Sequence, residues 1–103
     1  MIEEIDVDEL ERRLAAGAVL VDVREPDEIA EVRVPGVVAI PLGELRSRMG
    51  EIPEADTVYV ICRSGARSLR ACESLAADGR PAVNIAGGTM AWVNSGRPTE
   101  SGR

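Results

Sequence analysis

The sequence contains no histidine, no lysine and no phenylalanine, and its only aromatic residues are one tryptophan and one tyrosine. Without histidine, a Ser-His-Asp triad, a Cys-His nucleophile pair and a metal site that uses imidazole are all excluded. Without lysine, Schiff-base chemistry and the lysine of a phosphate-binding P-loop are excluded as well. The 12 basic residues are all arginine, and 18 acidic residues bring the net charge to -6. This acidic balance argues against sequence-independent binding to nucleic acid.

The length of 103 residues fits one domain, which can bury a core without disulfide or metal staples. The acidic N-terminus has no continuous apolar stretch, and no apolar run reaches the length of a membrane span. We therefore expect a cytoplasmic protein with no membrane partner. Cys62 and Cys72 are expected to be free thiols, because a reducing cytosol disfavours a disulfide. The sequence predicts a single domain over 1–103 with no cofactor or metal, and a frayed tail over 97–103.

Short apolar runs alternate with amphipathic segments along the chain. Asp6 is a candidate N-cap for a first helix that ends at Gly17, and Pro26 suits the first turn of a helix that ends at Glu31. Further helices are predicted over 42–49, about 68–77 and 90–94. Runs rich in β-branched residues predict strands over 19–23, 37–40, 57–61 and 82–85. This alternation predicts βαβ units and a mostly parallel sheet covered on both faces, with reactive groups at the carboxyl ends of its strands.

The segment after the strand at 57–61 carries the residues with the clearest chemistry. Cys62 follows the strand directly, and a loop containing Gly65 then leads into a helix. Backbone N–H groups of such a loop and the helix N-terminus can converge on one anion. Three arginines (Arg63, Arg67 and Arg70) lie in the window 57–72, which contains no acidic residue. We expect these groups to lower the pKa of the Cys62 thiol until it is largely ionised at neutral pH, without a histidine base.

Other residues near this segment admit a structural interpretation. Cys72 lies on the apolar stripe of the predicted helix, so we expect it to pack in the core rather than act as a resolving thiol. Arg63 and Arg67 are expected to face a ligand, and Arg70 suits a ligand contact or a solvated helix surface equally well. The Asp22 and Arg24 side chains, near the end of another strand, are expected to form a structural ion pair or to brace a loop, and this interpretation is favoured over a contact with substrate.

Three segments resemble the signatures of the rhodanese family of sulfurtransferases. Residues 20–28 (LVDVREPDE), continued by 34–36 (VPG) and 40–42 (IPL), resemble the first signature. Residues 62–68 (CRSGARS) resemble the active-site loop of single-domain members, and residues 86–92 (AGGTMAW) resemble the closing signature. The resemblance runs from about residue 5 to residue 98. It implies a three-layer α/β domain with a central, mostly parallel five-stranded sheet and helices on both faces.

The sequence departs from the family pattern at three places. Val32-Arg33-Val34 stands where the family often has Gly-His-Ile, Ile29 replaces an aromatic residue, and Gly79-Arg80-Pro81 replaces a common Gly-aromatic pair. These changes are interpreted as packing differences. No family role is carried over to Arg33.

The resemblance implies covalent sulfur transfer as the mechanism. The thiolate of the catalytic residue, Cys62, attacks the outer sulfur of thiosulfate or a similar donor, and sulfite leaves. The resulting persulfide passes its outer sulfur to cyanide or a thiol, which makes the protein a thiosulfate sulfurtransferase. The implied partners are a small anionic sulfur donor and this acceptor, or a sulfur-acceptor protein. The implied substrate-binding residues are Arg63, Ser64, Gly65, Ala66, Arg67 and Ser68.

Two rival functions use a similar loop. Cysteine phosphatases and arsenate reductases also hold a thiolate before a helix, but five residues separate their cysteine from the arginine. Here four residues separate Cys62 from Arg67, and no motif places a general acid, although Asp22 is a candidate. The other rival is a binding module that regulates a partner protein or carries sulfur to it. A sulfur carrier would use the same Cys62 persulfide, so this alternative stays open at the level of sequence.

Overall fold

A computed structural model describes residues 1–102 and contains one central sheet of five strands. Every neighbouring pair of strands is parallel, and their order across the sheet is β1-β5-β4-β2-β3. The strands are β1 (Glu3–Ile5), β2 (Val19–Asp22), β3 (Val38–Ala39), β4 (Val58–Ile61) and β5 (Ala82–Ile85). The α/β class and the five-stranded sheet are therefore confirmed, and the strand that precedes Cys62 is the central one.

Within residues 1–102, five α-helices flank the sheet. They are α1 (Val7–Ala15), α2 (Pro26–Glu31), α3 (Leu45–Arg48), α4 (Ala66–Ala77) and α5 (Gly88–Asn94), with 3-10 turns at Leu42–Glu44 and Met49–Glu51. Apolar residues of α1, α3, α4 and α5 contribute to a core on each side of the sheet. The central strand β4 serves both cores. Val58 and Val60 face the core under α3 and α4, whereas Tyr59 and Ile61 face the core under α1 and α5. Successive side chains of a strand point to opposite faces of the sheet. Because both faces are covered here, all four residues of β4 are buried.

Local signals in the sequence account for most of these elements. The Asp6 carboxylate accepts the Glu9 N–H at 2.9 Å, as expected of the predicted N-cap of α1. The clearest differences are at β1, at the helix predicted over 42–49, and at the starts of α4 and α5. The structure has a 3-10 turn followed by the short helix α3 where one helix over 42–49 is predicted, and α5 begins at Gly88, two residues before its predicted start. β1 was not predicted, because it has only three residues, two of them glutamates, and it owes its strand form to pairing with β5. α4 begins at Ala66, two residues earlier than predicted, because the turn at Gly65 completes the loop sooner.

The last described residues are attached to the rest of the chain, where the sequence predicts fraying. The buried indole of Trp92 donates its N–H to the Pro98 carbonyl at 2.8 Å. Arg33 and Glu100 exchange two backbone hydrogen bonds of 2.9 Å. The Arg33 guanidinium also donates to the Gly102 carbonyl at 2.7 Å, so this departure from the family pattern holds the C-terminal segment. Within residues 1–102, no helix is long and apolar enough to cross a membrane.

Candidate active site

The Cys62 backbone lies at the carboxyl end of β4 and is fixed there by α5. The Thr89 N–H donates to the Cys62 carbonyl at 2.9 Å, and the Met90 N–H donates to the Arg63 carbonyl at 3.1 Å. Gly88, with φ of +58°, makes this approach possible, because a Cβ there would lie 2.5 Å from both carbonyl oxygens. The Gly-Gly turn of the closing signature therefore fixes the loop that begins at Cys62.

The Cys62 sulfur lies inside a ring of hydrogen-bond donors. The backbone turns back at Gly65, where φ is +120°, and the Gly65 N–H points at Sγ with an N···S distance of 3.1 Å. The Ser68 hydroxyl, in the first turn of α4, lies 3.2 Å from the same sulfur. Cys62 itself is only 1% exposed. These donors suit a negative charge on Sγ more than a neutral thiol.

The pKa of Cys62 is lowered, in the direction that the sequence predicts. Burial raises this pKa, but the Ser68 hydroxyl and the backbone N–H groups of Ser68, Gly65 and Ser64 lower it by more. The sequence predicts that backbone N–H groups, the helix N-terminus and arginine charges together lower this pKa. The main contributors are a hydroxyl and the peptide backbone, because the loop curls around the sulfur while Arg67 is bound to Glu28 and Arg63 is exposed.

Asn84 completes the surroundings of Ser68, although the sequence analysis did not single it out. Its Oδ1 lies 2.5 Å from the Ser68 hydroxyl, and its amide N–H groups donate to the Glu4 carboxylate at 2.8 Å and the Gly65 carbonyl at 3.1 Å. A hydroxyl has one proton, so Ser68 donates either to Asn84 or to the Cys62 sulfur, and ionisation of the thiol favours the sulfur. The signal in the sequence is a single asparagine inside the otherwise apolar run Ala82–Ile85, and the structure shows that this asparagine is fully buried.

Replacing Ser68 with alanine should raise the pKa of Cys62, because the thiolate loses the side-chain hydroxyl that donates to it. One hydrogen bond to a charged group is worth about 1.5–3 kcal/mol, so we expect an upward shift of about 1–2 pH units. The rate of Cys62 alkylation measured against pH reports this midpoint. Ser64→Ala is the matched control, since the exposed Ser64 acts on the sulfur through its backbone N–H alone. Equal midpoints for the two variants would contradict the assignment.

Arg67 is paired with an acid from a distant part of the sequence. Its two terminal nitrogens donate to the two oxygens of Glu28, in α2, at 2.7 and 3.0 Å. The Arg67 guanidinium lowers the pKa of Glu28 to about 2, although partial burial opposes this shift. Residues 57–72 include no acidic residue, but the fold brings Glu28 from α2 into contact with Arg67.

The other predicted loop residues, and Arg70 beyond them, are exposed. Arg63 and Ser64 are exposed in the loop, and Ala66 is the exposed first residue of α4. Arg70 is exposed on another face of α4, where it lines a surface depression with Leu42 and Arg46, among others. The structure thus brings Gly65 and Ser68 onto the sulfur and leaves Arg70 outside the site.

Asp22 and Arg24 form the ion pair that the sequence predicts. Both are buried, and the guanidinium nitrogens lie 2.8–3.2 Å from the carboxylate oxygens. Arg24 also donates to the carbonyls of Glu28, at 3.3 Å, and Val32, at 2.8 Å. Both backbone contacts hold α2 and the residue that ends it, so the pair braces the element that carries Glu28.

Cys72 lies in the core, as the sequence predicts. It is fully buried in α4 and belongs to the apolar cluster that also contains Leu75. Burial, with a smaller contribution from nearby acids, raises the pKa of this thiol to about 12. Both cysteines are free thiols, but the surroundings of Cys62 lower its pKa, whereas those of Cys72 raise its pKa. Within residues 1–102, no cluster of three or more cysteine, aspartate and glutamate side chains is placed to hold a metal ion.

Known proteins resemble this chain in sequence. A sulfurtransferase of Allochromatium vinosum is 43% identical over 101 residues, which cover 95% of this chain and 94% of the relative. A Bacillus subtilis protein named as a candidate sulfur carrier is 40% identical over 75 residues, which cover 72% of this chain and 40% of the relative.

Known structures also resemble this chain in fold. A rhodanese-like domain protein from Staphylococcus aureus has a crystal structure that matches with a TM-score of 0.87 at 30% identity, covering 99% of this chain and 100% of that chain. The sequence model of the rhodanese-like domain matches residues 6–95, a span that includes Cys62, its loop and the Gly-Gly turn. The chain therefore belongs to the family of rhodanese-like domains.

Proposed function

We propose that this protein transfers sulfane sulfur through a persulfide on Cys62, with thiosulfate or a related anion as donor and cyanide or a thiol as acceptor. The observation that carries the proposal is the ring of donors around the Cys62 sulfur, because it would stabilise both a thiolate and the terminal sulfur of a persulfide. The kinship with sulfurtransferases supports the same reaction class. Two free thiols suit a reducing compartment, so the proposal places the protein in the cytoplasm.

The proposed reaction has two half-reactions. In the first, the Cys62 thiolate attacks the outer sulfur of the donor, an S–S bond forms, and the bond to the sulfonate sulfur breaks so that sulfite leaves with the electron pair. In the second, the acceptor attacks the terminal sulfur of the persulfide, and the Cys62 thiolate leaves. No proton transfer to Cys62 is needed in either step, which is consistent with a site that has no histidine.

The loop residues have separate parts in this proposal. The N–H groups of Ser64, Gly65 and Ser68 and the Ser68 hydroxyl stabilise the sulfur anion. Arg63, which is exposed beside Cys62, attracts the anionic donor. The backbone of Ala66 continues the loop into α4. A direct donor contact by Arg67 requires its pairing with Glu28 to open.

Mass spectrometry after incubation with thiosulfate tests the proposal. The reduced protein should gain the mass of one sulfur atom, and a thiol or cyanide should remove it. Cleavage after arginine separates Cys62 from Cys72, because Arg63, Arg67 and Arg70 lie between them, and the added sulfur should be on the Cys62 peptide. An unmodified protein that hydrolyses an aryl phosphate would contradict the proposal and favour a phosphatase. Sulfur on the Cys72 peptide would contradict the assignment of Cys62.

A sulfur-carrier role is the second candidate, and the Bacillus subtilis relative named for that role favours it. A carrier would also gain one sulfur from a donor, but it would release that sulfur slowly to small thiols and quickly to a partner protein. Comparing the release rate to a small thiol with that to proteins of a fractionated lysate separates the two roles. Fast multiple turnover with cyanide or a small thiol would exclude a role as carrier alone.

A further inference from the structure

The charged side chains around the loop cancel one another. Asp22 and Glu28 hold Arg24 and Arg67 in ion pairs of 2.8 and 2.7 Å, respectively. Within the described residues, Arg63 has no side-chain partner, and the unpaired Glu31 carboxylate faces the same cavity as Arg63. Three guanidinium groups therefore meet three carboxylates. Arg63 still attracts an anion from the exposed side of the loop, but a doubly charged anion finds no net excess of positive side-chain charge here, so most of its attraction comes from backbone N–H groups.

The Glu28–Arg67 pair is held from both sides. The contact is bidentate, so it occupies the guanidinium edge that a donor oxyanion would use. Glu28 also accepts the backbone N–H of Glu25 at 3.0 Å as part of the N-terminal capping of α2. α2 is itself braced by Arg24, so Glu28 cannot leave Arg67 without disturbing the start of its helix.

A cavity of about 220 Å³ lies against this loop, between α2 and α5. Thr89 lines it and binds the Cys62 carbonyl through its backbone, so the cavity begins beside the reactive segment. Met90 and Val93, one turn apart on α5, also line it and are 42% and 40% exposed, so together they give the cavity an apolar wall. Such a surface suits an apolar substituent better than a small hydrated ion.

On the basis of the proposed sulfur transfer, we propose that the Glu28–Arg67 pair is a specificity determinant that selects singly charged sulfane-sulfur donors with an apolar group over the thiosulfate dianion. An organic thiosulfonate is a donor of this class. The Cys62 thiolate takes its terminal sulfur to form the persulfide, and the organic sulfinate leaves with the electron pair of the broken S–S bond. The chemistry equals that with thiosulfate, while the donor has one negative charge fewer.

The test compares the rate of Cys62 persulfide formation from thiosulfate and from benzenethiosulfonate in wild type, Glu28→Gln and Asp27→Asn. Glutamine keeps the carbonyl oxygen that accepts the Glu25 N–H, and it removes the charge that neutralises Arg67. Asp27→Asn is the matched control, because it removes one acidic charge from the same helix at an exposed residue that does not line the cavity. Each rate is taken as kcat/KM for loading, followed by intact mass.

We expect Glu28→Gln to raise loading from thiosulfate about tenfold and loading from benzenethiosulfonate only about threefold, since the effect scales with donor charge. Asp27→Asn should change both rates less than about twofold, because the charge of an exposed side chain outside the cavity is screened. An unchanged ratio of the two donors in Glu28→Gln, or the same change in Asp27→Asn, would overturn the inference. Loss of loading from both donors in Glu28→Gln would also overturn it. A wild-type protein that loads from neither donor would refute the proposed function itself.

Discussion

A Cys62→Ala variant should gain no sulfur from any donor, whereas a Cys72→Ala variant should load and turn over within about threefold of wild type. The two substitutions are the same chemical change, made ten positions apart. They differ because Cys62 is surrounded by donors that stabilise its thiolate, whereas burial raises the pKa of Cys72 to about 12. At neutral pH a thiol with that pKa is almost entirely protonated, and the thiolate is the nucleophile.

The pH dependence of loading should report the same difference. In wild type the rate of persulfide formation should rise with pH through the pKa of Cys62, which lies below that of an ordinary cysteine, and then reach a plateau. The profile of Cys72→Ala should be unchanged. Intact mass at a series of times after mixing with thiosulfate gives both rates. Sulfur on Cys72 in the Cys62→Ala protein, at a rate near that of wild type, would contradict the assignment of roles.

The fold of this chain was predictable because its local signals agree with one another. A capped first helix, β-branched runs and Gly-ended helices all mark the same boundaries, and the α/β alternation of these elements predicts a parallel sheet. β1 escaped prediction for a physical reason, since Glu3 and Glu4 give it no apolar pattern and its strand form depends on β5. The attachment of the C-terminal segment depends on Arg33, whose partners lie far along the chain.

The site was predictable only in part. The site residues that are close together in the sequence were predicted, and those that come from distant segments were not. Cys62, Gly65 and Ser68 lie within seven consecutive residues, so their convergence on the sulfur follows from a loop that leads into a helix. Glu28 and Asn84 come from α2 and β5, and only the folded sheet brings them to that loop. Counting charges along the sequence therefore overestimated the positive field, because it could not include acids that arrive from other strands and helices.

Gly88→Ala should both destabilise the protein and impair sulfur transfer. A Cβ at this position would lie 2.5 Å from the carbonyl oxygens of Cys62 and Arg63, and both are backbone atoms that cannot rotate away. Gly88 also has a φ of +58°, which an alanine adopts only with strain. Overpacking and backbone strain together should cost about 2–5 kcal/mol, which corresponds to a fall in Tm of about 10 °C or more for a chain of this size.

The effect on activity follows from what α5 holds in place. Relief of the clash requires the start of α5 to move away from the loop, which lengthens the hydrogen bonds from Thr89 to Cys62 and from Met90 to Arg63, now 2.9 and 3.1 Å. The loop then no longer keeps the Gly65 N–H on the sulfur. We expect persulfide formation to fall at least about tenfold, the equivalent of about 1.4 kcal/mol, and the alkylation midpoint of Cys62 to rise.

Gly79→Ala is the control that separates two costs of Gly88→Ala, the clash of the new Cβ and the strain of an alanine at positive φ. Gly79 has a similar positive φ of +80°, but a Cβ there would meet no atom within 4 Å. This control should lose only the smaller cost of placing an alanine in left-handed backbone, about 1 kcal/mol, and should load sulfur at the wild-type rate. Thermal unfolding and loading from thiosulfate are measured on both variants at a temperature where both are folded. If Gly88→Ala loads as fast as Gly79→Ala, the contact between α5 and the loop does not position Cys62, and the closing Gly-Gly turn has a role in stability alone.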